Sequence, residues 1–410
     1  MRTIKSTCAT LLCCGFIFYS QSFAQWGPGG VRFPTSFLLA ADSILFAACT
    51  DYAVCATTDE GQTWTVLDDG LVLREISMLA RNPSFLFGAT SSDVFRSTNN
   101  GMTWALANWG LPPWTLFSKI TSILAFDSFV FVATTKDGGI YASSDNGMVW
   151  LPSNVGLISL DVSALIQLRG HFFAATGAGV FRSDDNGKNW TYASEGITDS
   201  IFSSFGARDS VVFAGTAHGG VFRSTNLGIS WVQRNSGLDY GRGANLIGTD
   251  GANLFASANG HLFISRNDGD SWTTTIEDGL PSPFYPTSIA FIGPYIFVGG
   301  GGGVYRRPYS EIASVARGRG ELPTEPRLEQ NYPNPFNPST TITYELPRAS
   351  FVTLSVYDML GREVSVLANE RREAGVHEVK FNGSGLSSGV YLYRIQAGTF
   401  VQTRKLLFLR

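Results

Sequence analysis

The sequence predicts an all-β protein: a seven-bladed β-propeller followed by a small Ig-like antiparallel β-sandwich. Three observations carry this. A tryptophan-bearing turn motif recurs six times with a period of about 41 residues. Composition favours short strands and tight turns: 45 Gly and 30 Phe among 410 residues, with charged residues at only 15%, against about 25% in ordinary globular chains. The last stretch of chain changes pattern, from the repeat to strands with strict alternation. A hydrophobic fraction of 44% supports a sizeable core and excludes wholesale disorder.

The repeated motif reads S/T-x-D/N-x-G-x-x-W. Its copies are 57–64, 97–104, 143–150, 183–190, 224–231 and 265–272, ending on Trp64, Trp104, Trp150, Trp190, Trp231 and Trp272. Before each copy stands an aromatic-rich strand such as FVFVATT, a Gly-rich turn and a second strand such as GVFRS. After each copy comes a Gly-Leu or Gly-Ile pair at Gly70, Gly110, Gly156, Gly196, Gly237 and Gly279. Each period thus holds four short strands, the unit of a propeller blade. One such sheet cannot bury both faces; a closed ring of sheets can, and it leaves no long free edge. A seventh strand pair at 295–309 lacks the motif, so Trp26 and its neighbours are expected to supply the outer strand of the last blade. Residues 25–312 accommodate seven units of about 41 residues.

Within the motif, Asp or Asn accepts backbone amides and fixes a turn. Glycine permits a left-handed conformation, and tryptophan anchors the next strand. The expected structural set is Asp59, Gly61, Trp64; Asn99, Gly101, Trp104; Asp145, Gly147, Trp150; Asp185, Gly187, Trp190; Asn226, Gly228, Trp231; and Asn267, Gly269, Trp272.

Residues 1–24 read as a secretory signal peptide: Arg2 and Lys5, an apolar run from Leu11 to Tyr19, and Ser22 and Ala24 before Gln25. Its removal takes the net charge from −3 to −5 and leaves two cysteines, Cys49 and Cys55. Aligned on the other repeats, Thr50 faces Val54 and Cys49 faces Cys55 across a hairpin. Two readings stay open, a cross-strand disulfide or a pair of buried thiols.

These copies resemble the Asp-box, or BNR repeat, of sialidases, over roughly 25–310. The resemblance implies a propeller whose Asp-boxes lie between third and fourth strands, on the face opposite the ligand face. It spans sialidases, xyloglucan-active endoglucanases, sortilin-type receptors and photosystem assembly factors, so it does not settle function. VRFP at 31–34 is similar to a sialidase arginine motif through Arg32, but Arg96, Arg182 and Arg223 share one strand position and read as blade surface. Only Arg74 and Arg242 remain in ligand-face loops. A secreted carbohydrate-active hydrolase could draw on Asp137, Asp161, Glu195, Asp199 or Asp239. His218 and His261 make no metal site, Gly299–Gly303 is no phosphate loop, and no catalytic residue, metal or cofactor is expected.

A ligand, an extracellular glycan or protein, is expected to meet aromatic loops: Trp109, Trp114 and Phe117 in the longest spacing, with Tyr240, Arg242 and Tyr285. Segment 25–307 carries 16 Lys and Arg against 23 Asp and Glu. No nucleic-acid footprint is present, and no transmembrane segment is expected in the mature chain.

A polar segment, 313–327, reads as a linker. Residues 328–410 then resemble the type A C-terminal sorting domain of the type IX secretion system, through NYPNPFNPST, LSVYDMLGREV, LSSGVYLYRIQAG and RKLLFLR. The resemblance implies engagement with the type IX machinery, a secreted or outer-membrane surface location in a Gram-negative bacterium, and removal of the tail at the surface. The reading from sequence is therefore an exported binding or scaffold propeller, with the secreted hydrolase as alternative.

Overall fold

The structure, a computed structural model, describes residues 27–409 except 30, 32, 50–52, 72–74, 114–118, 239–240, 242, 276, 282–283, 316–324 and 333. The expected signal peptide and Trp26 lie outside the described residues. Among the described residues, seven four-stranded antiparallel sheets lie between Gly27 and Pro308. Their innermost strands are Thr35–Ala41, Met78–Arg81, Ile120–Phe126, Val162–Leu168, Phe202–Arg208, Ala244–Thr249 and Pro286–Ile292. Each packs against its successor, and Pro286–Ile292 meets Thr35–Ala41, so the sheets form a closed propeller. The outermost strands within the repeats are two residues long, as in Thr65–Val66 and Leu151–Pro152.

Closure comes from both ends of the chain. Gly27–Pro28 pairs with Gly303–Pro308, in register Gly27 to Arg306 and Pro28 to Tyr305. The last sheet therefore takes its fourth strand from the N-terminal side. The second strand of each sheet is buried on both faces, as in Val130, Phe131, Val132 and Ala133 or Phe172 to Ala175. This explains why those strands read as continuous apolar runs rather than alternating ones.

The first hairpin departs from the expected register. Cys49 faces Ala53, Ala48 faces Val54 and Ala47 faces Cys55. The pairing is displaced by two residues from the expected one. A shift of two keeps every side chain on its face but replaces the partner directly opposite. Cys49 and Cys55 are thus diagonal neighbours, both buried thiols with no disulfide between them. A hydrogen bond with Cys49, and then burial, push the Cys55 thiol up.

Two further features lie beyond the sequence reading. Six inner strands carry a bulge near their start, with Ser36, Thr121, Ser163, Ser203, Asn245 and Thr287 as the extra residues. Tyr309–Val315, inside the polar stretch after the last sheet, forms a short helix and buries Tyr309 and Ile312 against the seventh sheet.

The tail is a separate antiparallel body. Arg327–Leu328, Ser339–Leu346 and Gly375–Asn382 make one sheet. Glu363–Arg372, Ser350–Tyr357, Gly389–Ala397 and Phe400–Phe408 make the other, in that order. The two enclose Ile342, Tyr344, Leu354, Val356, Tyr393 and Ile395, among others. The alternating strands expected in this stretch are present. The Pro-rich stretch bridges the last strand in parallel: Phe336 donates its amide to Leu407 (3.0 Å) and accepts from Leu409 (3.1 Å). Peptide bonds Asn334–Pro335 and Asn337–Pro338 are cis.

Candidate functional site

Strand order gives the ring two faces. The turns between first and second strands and the repeated motif share one face. The crossing loops into the next sheet and the turns between second and third strands share the other.

On the first face the repeat is mechanical. In the third sheet Asp145 Oδ1 accepts the Ser143 hydroxyl (2.6 Å) and the amides of Met148 and Val149 (3.0 Å each). Ser143 in turn accepts the Gly147 amide at 2.8 Å. Asn146 and Gly147 take φ of 59° and 76°. Partial burial of the Asp145 carboxyl works against ionisation, but these donors outweigh it and hold the group below its usual range. Asp59, with Thr63 as its strongest partner, is pulled down to about 2. Asp185, with Asn189, is pulled down to about 2 as well.

Each motif tryptophan reaches backwards. The indole of Trp104 donates to Leu67 (3.0 Å), Trp150 to Ala107 (2.7 Å), Trp190 to Ser153 (2.9 Å), Trp231 to Ala193 (2.7 Å) and Trp272 to Arg234 (2.9 Å). Trp64 donates to Gly29, whose segment belongs to the last sheet. Arginine reaches forwards. Arg96 donates to the Asn146 carbonyl (2.9 Å), Arg182 to Leu227 (2.9 Å) and Arg223 to Asp268 (2.8 Å). Arg306 donates to Glu60 and closes the ring a second time. These arginines, expected at the blade surface, tie the second, fourth, fifth and seventh sheets to the next motif and do not converge on one point. Hydroxyls at the bulges add a third set of ties: Thr121 to the Val162 carbonyl and Thr287 to Thr35, both at 2.6 Å. Sequence reading missed this ring, although a Ser, Thr or Asn recurs in phase near the start of the inner strands.

Two of the expected ligand residues, Trp109 and Tyr285, are among the described ones, on the loops of the second face. Trp109 is 78% exposed and Tyr285 is 56% exposed. They enter the third and seventh sheets, which are not neighbours in the ring. Trp114, Phe117, Tyr240 and Arg242 lie outside the described residues, as do Arg32, Arg74 and Asp239. Of the carboxylates weighed for hydrolysis, Asp161 and Asp199 are occupied by backbone amides. Asp199 accepts the amides of Ile201 (3.0 Å), His218 (2.7 Å) and Gly219 (2.9 Å). Its burial is outweighed by those donors, and the group is held below its usual range. Asp161 accepts the Lys136 amide at 3.0 Å. Asp137 and Glu195 are exposed. Near His261 the ring stands 2.9 Å from Glu277, which also takes the Leu262 amide at 3.0 Å. Among the described residues no cluster of three or more His, Cys, Asp or Glu has metal-binding geometry. A hollow of about 370 Å³ lies against the inner strands, lined by Phe37, Leu39, Ile289, Phe291 and Asp250 among others. Asp250 is itself engaged with Ala252, Asn253 and Tyr309.

In the tail, Phe336 packs between Phe408 (5.1 Å) and Phe381 (5.8 Å). The Tyr393 hydroxyl donates to Glu329 (2.7 Å) and accepts the buried Asn331 amide (2.8 Å). These residues of the tail motifs therefore serve packing and pairing.

Comparison with known proteins agrees with this division. Residues 330–408 match the secretion system C-terminal sorting domain. The class this defines is a β-propeller exported by type IX secretion, delivered to the cell surface or released. Among the described residues no helix is long and apolar enough to cross a membrane. No curated protein matches the chain. Solved structures do. PorZ of Porphyromonas gingivalis, described as an essential bacterial surface component of the type IX secretion system, has TM-score 0.55 and 15% identity. The match covers 94% of this chain and 60% of that one. The GH74 xyloglucanase of Xanthomonas campestris has TM-score 0.57 and 16% identity, over 86% and 63%. YCF48 of Cyanidioschyzon merolae has TM-score 0.53 and 16% identity, over 69% and 98%. The chain thus spans about three fifths of the first two, and at these identities the likeness is one of fold.

Proposed function

We propose that the protein is an exported binding or scaffolding module that works outside the cell. In this reading 1–24 is a cleaved signal peptide, 25–312 a seven-bladed Asp-box propeller, 313–327 a linker and 328–410 the sorting domain. The carrying observation is the use to which polar groups are put. Repeated tryptophans and arginines join one sheet to the next, the motif carboxylates hold their own turns, and Asp161, Asp199 and Glu277 hold backbone amides. A pair of free carboxylates flanking a groove, which glycoside hydrolysis requires, is not what this arrangement favours. The exposed aromatics Trp109 and Tyr285 favour stacking on a sugar or packing on a protein. Trp114, Phe117, Tyr240 and Arg242 belong to the same set by their place in the repeat.

The test is a glycan array and a glycosidase screen on purified 25–312, with Trp109→Ala and Trp114→Ala beside it. Binding without turnover, lost in either variant, is the expected result. Turnover of any defined glycan would replace this reading with the hydrolase.

A further inference from the structure

The propeller and the sorting domain meet at a built contact around Tyr332. Tyr332, in the NYPNP stretch at the start of the tail, lies with its ring 4.6 Å from that of Tyr309. Its hydroxyl donates to the Gly293 carbonyl at 2.8 Å. Tyr309 belongs to the short helix after the seventh sheet and is itself buried. Its hydroxyl donates to Asp250, and Asn253 donates to it. Asp250 and Asn253 sit in the first turn of the sixth sheet, and Gly293 in the first turn of the seventh. Phe255, Ile296 and Ile312 complete the apolar floor on which Tyr332 packs. Beside it, Arg327 donates to the Arg266 carbonyl of the sixth sheet at 2.8 Å, and it is held by Glu329 at 3.2 Å.

We propose that the seam between the sixth and seventh sheets is an acceptor for the chain's own sorting domain, with Tyr332 as the plug. The arrangement has the marks of a specific interface: an aromatic anchor in a half-apolar socket, a hydrogen bond at its tip and a charged pair at its rim. Burial, and then the carboxylates of Asp250 and Glu60, push the Tyr332 phenol up, so it stays a donor at any physiological pH. The contact lies on the face of the repeated turns. The sorting domain is thereby presented in one orientation on a folded propeller, and the face with Trp109 and Tyr285 is left open. This goes beyond the proposed binding role and does not depend on it.

Small-angle scattering on the full chain from Gln25 tests the proposal, together with Tyr332→Ala. The wild type should scatter as one rigid body. Tyr332→Ala should show a larger radius of gyration and the profile of two bodies moving on a tether, with unchanged circular dichroism. Wild-type scattering that already requires two independent bodies overturns the proposal and needs no variant. A Tyr332→Ala profile superimposable on a compact wild type also overturns it, because the contact would then not depend on the plug.

Discussion

The indole nitrogen of Trp150 donates to the carbonyl of Ala107 at 2.7 Å, and the two residues belong to successive sheets. Trp150 is almost wholly buried. The same bond, from each motif tryptophan to the preceding sheet, recurs around the ring. The tryptophan is thus an inter-sheet bolt as well as a core residue. Trp150→Phe should keep most of the apolar contact but strand the Ala107 carbonyl, at a cost of about 1–3 kcal/mol. Trp150→Ala should cost about 3–5 kcal/mol, since a large cavity is added. Urea unfolding of the propeller measures both. Equal losses would mean that the hydrogen bond carries no separate weight.

Glycine after the motif serves the same seam. Gly110 has φ of 95°, and a methyl group there would collide with the Trp150 carbonyl oxygen. Gly251 has φ of 89° with open space around it. Gly251→Ala should therefore cost only the left-handed conformation, about 1–2 kcal/mol. Gly110→Ala must also push two sheets apart and should lower the melting temperature clearly further. Melting curves of the two variants decide this. Matching shifts would show that the seam yields freely.

How far this could be read from sequence follows from which signals repeat. Trp64 to Trp272 recur in phase, so four strands per period and closure of the last sheet by the N-terminal segment were legible. Gly110 announced a turn, but its close approach to Trp150 was hidden, because it joins residues of different sheets. Arg96, Arg182 and Arg223 repeat just as clearly. A repeat alone does not tell whether such a side chain faces water or the next sheet. The Cys49–Cys55 hairpin was misregistered because the length of its turn, not its composition, sets the pairing. The helix at Tyr309 was invisible since its burial comes from packing against the seventh sheet rather than from local preference. The tail was legible down to its strands, because alternation of apolar and polar residues has only one reading when one face is buried. The ligand loops keep their place in the repeat, but their residues differ from one copy to the next, so no recurrence marks which of them bind.

Motif carboxylates predict an acid-sensitive ring. Asp59 and Asp185 are lowered from 3.8 to about 2, and Asp145 is lowered too. A depressed folded-state value means the stability contributed is present above the unfolded value and is lost as pH falls through the folded one. The loss should therefore develop below about pH 4 and continue to about pH 2. Native Asn99 shows that an amide can hold the same turn, accepting the Thr103 amide at 2.9 Å and donating to its hydroxyl at 3.0 Å. The triple variant Asp59→Asn, Asp145→Asn, Asp185→Asn should keep the fold at neutral pH and flatten the acid slope. Thermal melts from pH 7 to pH 2 provide the measurement. Parallel slopes for wild type and variant would assign the acid sensitivity elsewhere.

Export should depend on the folded tail rather than on its linear sequence. Phe336 is buried between Phe381 and Phe408, and its backbone holds the last strand through Leu407 and Leu409. Phe336→Ala empties that space at a cost of about 3–5 kcal/mol. That is a large share of the stability of a body of this size, which is about 5–15 kcal/mol. Met359, in contrast, is 63% exposed at a hairpin tip, and Met359→Ala should leave the core intact. Deletion of 328–410 should leave the protein in the periplasm. Phe336→Ala should approach that result, with periplasmic accumulation many-fold above wild type, whereas Met359→Ala should still allow the tail to fold. Fractionation and immunoblotting of the native host read out all three. Surface delivery of the deletion variant at the wild-type level would remove the tail from the export route altogether. Normal delivery of Phe336→Ala, with a demonstrably unfolded tail, would show that the machinery reads a linear motif instead.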